Sequence, residues 1–147
     1  MEPLLRRLEA EAPADVLLLA PPRHPLEAAL RRRLPQARLT RADTTALPAR
    51  RFAVALAVET LESMAAADAR ALLAALRDLE AAHVVLLVDL ARSPLDEPAL
   101  RALGFGLHAR DGTQAVFGFE LFGYKDRPEW LSPRHWAHPE LWDKFRW

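Results

Sequence analysis

Three short, nearly unbroken apolar runs, at residues 16–20, 51–58 and 83–88, restrict the fold more than any other feature of this chain. A strand with one face in water alternates polar and apolar residues, whereas a strand covered on both faces does not. Runs of this kind therefore read as the centre of a parallel sheet between two helical layers. The first run lies between Pro13 and Pro21, too close together for a helix. The second run is closed by Glu59 and the third by Asp89.

Helical spacing fills the intervals. Leu4, Leu5 and Leu8 predict a short helix over 3–11, and Leu26, Ala29, Leu30 and Leu34 predict another over 25–34, stopped by Pro35. Arg31, Arg32 and Arg33 fall at its carboxyl end, where cations complement the helix dipole. Residues 37–41 read as a brief strand. Leu72, Leu73, Leu76 and Leu79 predict one buried face of a helix over 68–82, and a short helix follows over 98–103. The alternation then gives way to a hairpin, with Asp111-Gly112 as the turn between strands at 105–110 and 114–122. The expected architecture is a three-layer, Rossmann-like α/β sandwich whose mostly parallel sheet closes with a C-terminal antiparallel hairpin. Residues 1–123 form its domain, and residues 124–147 form an aromatic tail packed on it.

Composition removes several classes of function. The 147 residues suffice for one core, and a net charge of zero argues against nucleic acid or an anionic membrane surface as partner. There is no cysteine, hence no disulfide framework and no thiolate nucleophile. No apolar stretch approaches the roughly 18 residues that span a bilayer, and Met1-Glu2-Pro3 does not open a signal peptide. A soluble, cytoplasmic protein is expected. Arginine outnumbers lysine 18 to two while isoleucine and asparagine are absent, a pattern like that of genome composition bias, which makes the arginines poor evidence of phosphate recognition.

In an open α/β sheet, ligands bind beyond the carboxyl ends of the strands, where successive connections leave to opposite faces. The rim of that crevice would hold Ala20, Arg23, His24, Glu59 and Glu62, with Asp43 and Asp89 farther along the edge. Arg23 or His24 beside Glu59 would suit a small anion or an acid/base pair; equally, Glu59 and Glu62 would simply cap a helix. The turn itself is Pro21-Pro22-Arg23-His24-Pro25, so three of the N–H donors that normally face a phosphate are missing. His135 and His138 are three residues apart, but Pro139 interrupts that segment and no metal site is expected. All four tryptophans, Trp130, Trp136, Trp142 and Trp147, fall in the tail, where their spacing of five or six makes no single helical stripe. Such rings either complete the core or anchor a partner, a second copy of the chain or another protein.

The stretch Ala42-Asp43-Thr44-Thr45-Ala46-Leu47-Pro48, then Arg51-Phe52-Ala53-Val54-Ala55-Leu56, then Glu59-Thr60-Leu61-Glu62, resembles the class I S-adenosylmethionine-dependent methyltransferases over about residues 14–122. Two features depart from that pattern. The family's Gly-x-Gly turn is replaced by the proline-rich segment, and one strand–helix unit is missing between the first long run and the one at Phe52. The whole chain, with its tail from Tyr124-Lys125 to Trp147, resembles an uncharacterised bacterial family with a truncated methyltransferase-like core. Two functions follow as expectations. The first is a non-catalytic binding or protein-interaction module, working through the tail and needing no cofactor. The alternative is a divergent methyltransferase or other nucleoside-binding enzyme, in which Asp43 holds the ribose of S-adenosylmethionine and Glu59 lies near its amino group.

Overall fold

The computed structural model describes residues 2–120. It begins with α1 (Glu2–Glu11), β1 (Asp15–Leu19), α2 (Pro25–Arg33), β2 (Arg38–Arg41) and β3 (Phe52–Val58). A 3₁₀ turn at Leu61–Ser63 leads to α3 (Ala66–Ala75), a π-helical turn (Leu76–Glu80), β4 (Ala81–Asp89), α4 (Glu97–Ala102), β5 (Gly106–Asp111) and β6 (Gln114–Glu120). The six strands make one sheet in the order β2-β1-β3-β4-β6-β5. β2, β1, β3 and β4 are parallel, and β6 and β5 are antiparallel additions.

Side chains alternate between two cores, which explains why the central strands show polar residues only towards their ends. Leu17, Leu19, Ala55, Ala57, Val84, Leu86 and Phe117 pack with Leu72, Leu73 and Leu76 on one face. Val16, Leu18, Val54, Leu56 and Val85 meet Leu5 and Leu8 of α1 and Leu26 and Leu30 of α2 on the other. The sheet therefore lies between two helical layers, as expected. β1 connects through α2 on one face and β3 through α3 on the other, so the crossovers diverge between β1 and β3.

Two local expectations need correction. Leu79 does not share the buried face of Leu72, Leu73 and Leu76 but is 67% exposed. The π turn widens the helix there and rotates the last leucine out of phase, and the strand starts at Ala81. The hairpin loop centres on Gly112-Thr113, since Asp111 and Gln114 already pair. Gly112 supplies the left-handed residue that this tight connection needs, at φ 59°. A register shift between Leu107 and Ala109 leaves His108 as the extra residue of a bulge. Its ring lies over Gly118, where a Cβ would collide with it.

No helix among the described residues is long and apolar enough to cross a membrane. The strand end expected at 121–122 and the whole aromatic tail, with Trp130, Trp136, Trp142, Trp147, His135 and His138, lie outside the described residues.

Candidate functional site

At the carboxyl end of β1 the chain turns through Pro21 and Pro22, closed by a His24 N–H bond to the Pro21 carbonyl at 3.2 Å. His24 is the N-cap of α2: its Nδ1 accepts from the Leu26 N–H at 3.2 Å, and Pro25 opens the first turn with its φ already set. Arg23, between them, has φ 61°. Across the switch point, Glu59 at the end of β3 has φ 47°. Each of these left-handed conformations costs a non-glycine residue about 1–2 kcal/mol, and the two flank one opening.

Thr60 ties the two strand ends together. It is 8% exposed, and its hydroxyl lies within hydrogen-bond reach of the Leu19 and Val58 carbonyls, at 3.2 and 3.1 Å. Beyond it, a cleft of about 680 Å³ opens at the ends of β1, β2 and β3. Ala20, Asp43, Glu59 and Glu62, all expected from the sequence, line it. His24 stands behind Glu59, with Nε2 3.8 Å from Oε1. Arg23 is exposed beside the cleft but does not line it. Asp89 is likewise outside, its N–H donating to Glu62 Oε1 at 2.7 Å. That bond occupies one oxygen only: Glu62 Oε2 is buried and unpartnered among the described residues.

Asp43 is exposed and folded into a local turn, accepting from the Thr45 N–H and from the Thr44 and Thr45 hydroxyls, each at 3.3 Å. The Thr45 backbone N–H, ahead of the hydroxyls, holds its carboxyl below the ordinary aspartate value. Two arginines that no sequence pattern singles out also line the cleft. Arg41 donates to the Ala20 carbonyl at 2.7 Å and pairs with Glu27 at 2.8 Å, bracing the proline turn from β2. Arg92 lines the cleft from the loop after β4, and its guanidinium makes no ion pair among the described residues. Position was the only available signal, since Arg41 ends a strand and Arg92 follows Asp89, at the edge where ligands bind.

The cleft thus gathers three carboxylates, one committed guanidinium and one free among the described residues. Pro21 and Pro22 contribute no N–H, and the chain offers no glycine cradle for a pyrophosphate. Such a set suits a ligand with positive charge and hydroxyls better than one with phosphates.

No curated protein matches the chain in sequence. Solved structures resemble it in fold. An O-methyltransferase family protein from Burkholderia thailandensis superposes with a TM-score of 0.59 at 13% identity, over 80% of this chain and 55% of that one. The chain therefore spans about half the length of that protein. The methyltransferase domain of bacterial CtHen1 gives 0.56 at 11% identity, covering 82% of this chain and 96% of that one. Magnesium protoporphyrin IX methyltransferase from Synechocystis PCC 6803, solved with bound SAM, gives 0.54 at 13%, covering 80% and 76%. At these identities the likeness establishes a Rossmann-like, methyltransferase-type fold. The sequence itself matches a family profile over residues 1–147, and the chain belongs to that family, a family of unknown function (DUF6231).

Proposed function

We propose that the protein is a ligand-binding module that takes a cationic nucleoside without phosphates, of the S-adenosylmethionine class, in the cleft at the ends of β1, β2 and β3. The observation that carries this reading is the donor set. Asp43, Glu59 and Glu62 line one cleft, and Glu62 keeps a buried oxygen with no partner among the described residues. An unsatisfied buried carboxylate oxygen is costly, and a cationic group relieves that cost. The ligand's ribose hydroxyls suit Asp43, which already accepts several donors and stays ionised at neutral pH. Its ammonium suits Glu59, and its carboxylate suits the guanidinium of Arg92. S-adenosylmethionine supplies an activated methyl group on sulfur when bound; the residues described here bind and orient the nucleoside. The proline turn fits the same choice, because it excludes the phosphate contacts on which dinucleotides depend.

Calorimetry of the full chain with S-adenosylmethionine tests the proposal. Binding is expected with a micromolar constant, weakened about tenfold by Asp43→Ala, the loss of one charge-assisted hydrogen bond. S-adenosylhomocysteine, which lacks the sulfonium charge, is expected to bind more weakly. Absence of heat at millimolar ligand, or equal affinity for the two nucleosides, would sink the reading.

A further inference from the structure

A second cluster lies at the opposite edge of the sheet, where β4 begins. His83, 12% exposed at its side chain, sits between two carboxylates from distant parts of the chain. Glu11 Oε2, at the end of α1, is 3.3 Å from Nδ1, and Glu120 Oε1, at the end of β6, is 3.6 Å from Nε2. The sheet makes this meeting, since His83 and Glu120 are direct partners in the antiparallel ladder. One ligand atom from each of the three residues lies within 4.8 Å of the other two.

Arg7 is the cation present. Its Nε donates to Glu11 Oε1 at 2.7 Å, and its terminal nitrogen pairs with Glu120 Oε1. Even so, the cluster is unbalanced. Two carboxylates face one guanidinium, leaving one negative charge when the imidazole is neutral, and His83 Nε2 is buried with no hydrogen-bond partner among the described residues. A buried ring nitrogen beside a carboxylate can be satisfied by a proton shared with it or by a metal ion bound to both.

We propose that Glu11, His83 and Glu120 form a binding site for a divalent transition-metal ion, with water completing the coordination and Arg7 released from the carboxylates on binding. The separations suit the assignment. A tetrahedral zinc with bonds of about 2.0–2.2 Å sets its ligand atoms about 3.3–3.6 Å apart. The 3.3 and 3.6 Å separations lie on opposite sides of the ring, and an ion takes only one of its nitrogens; with one atom from each residue within 4.8 Å of the others, side-chain rotations of about 1 Å close the set to that spacing. Imidazole nitrogen with carboxylate oxygen selects zinc-like ions over magnesium or calcium, which take oxygen alone. The ion with two carboxylates is neutral, and it ties α1 to β4 and β6.

The test uses the full chain stripped with chelator and titrated with zinc chloride, by calorimetry and by thermal melting. One-to-one binding in the micromolar range is expected, with a rise in melting temperature. His83→Gln is expected to weaken binding by at least about 30-fold. Should that variant fail to fold, Glu120→Gln at the end of β6 carries the same comparison. Arg7→Gln removes the competing cation, so it is expected to tighten binding several-fold, which an adventitious surface site would not show. The double variant His135→Gln/His138→Gln is expected to bind as the parent does. No binding up to about 1 mM zinc, retention in His83→Gln, or loss in the tail double variant would overturn the assignment.

Discussion

The parallel strands end very differently at their two edges. At the carboxyl ends of β1 and β3, Arg23 and Glu59 hold left-handed backbone, and Asp43 and Glu62 have no ion-pair partner among the described residues. At the amino-terminal ends, charges are matched locally. Asp15 takes the Ala53 N–H at 2.7 Å and Arg50 at 2.9 Å, while Glu11 and Glu120 share Arg7 and His83. The positive φ of Ala12, 44°, is no exception to this division, since its N–H bond to the Leu8 carbonyl at 2.9 Å simply closes α1. Backbone strain and unpaired charge at one end, mostly paired charge at the other, is the usual division between a binding edge and a structural edge, although Glu80 Oε2, just before β4, is also buried without a hydrogen-bond partner among the described residues. The proposed metal site qualifies this division. His83 is the one place on the satisfied edge where an orphan nitrogen remains among the described residues.

The largest effect is expected from breaking the satisfied edge. Asp15→Ala removes an acceptor that is 21% exposed and leaves the Ala53 N–H without its partner. A charged hydrogen bond of this kind contributes about 1.5–3 kcal/mol. Urea unfolding should show a loss in that range; a loss below about 0.5 kcal/mol would mean that Asp15 is a surface residue like any other and that the contrast between the edges is overdrawn.

The opposite sign is expected at the other edge. Glu59→Gly relaxes a φ of 47° that glycine adopts without penalty, and the ion pair it loses, to His24 at 3.8 Å, involves a carboxylate that is 53% exposed. The variant is expected to gain about 1 kcal/mol in urea unfolding while losing affinity for the nucleoside, the exchange of stability for function expected of strain at a site. A destabilised variant would show that the conformation is held by contacts and not against them.

How much of this contrast was legible in the sequence follows from what kind of signal each part leaves. The buried strands came from apolar runs, because covering both faces of a strand removes polar positions from its middle. The cleft's place came from Pro21, Asp43 and Glu59 following strand ends, and its missing cradle came from the prolines themselves. Leu79 was misjudged because a π turn changes the helical period without any breaker residue to mark it. The Glu11, His83 and Glu120 cluster left no local pattern at all. Its members belong to α1, β4 and β6, and only the register that pairs His83 with Glu120 brings them together. For that reason His83, at the start of the run 83–88, shows nothing of its partners in the sequence. Arg41 and Arg92 were hidden in a similar way, by a composition so rich in arginine that no single one stands out.

The smallest expected effect separates acids held by arginine from acids held by amides. Arg33 bridges Glu2 and Glu9, at 3.1 and 2.8 Å, and its hydrogen bonds lower both carboxyls below their ordinary value of 4.5. A carboxyl depressed in the folded state adds stability above its unfolded value and loses it as the pH falls through the folded one. Melting temperature should therefore decline below about pH 4.5, and Arg33→Ala should flatten that part of the profile. Since the pair is exposed, about 1 M salt should flatten it too, with a screening length near 3 Å. Asp43, lowered chiefly by the Thr45 N–H in its own turn, answers differently. A direct amide contact at 3.3 Å, far inside the screening length at lower salt and made by a neutral donor, is little screened, so the residual slope near pH 3.8 should survive salt and disappear in Asp43→Asn. Loss of the whole acid slope in salt would place Asp43 among the arginine-held acids and remove one of the features that set the cleft apart.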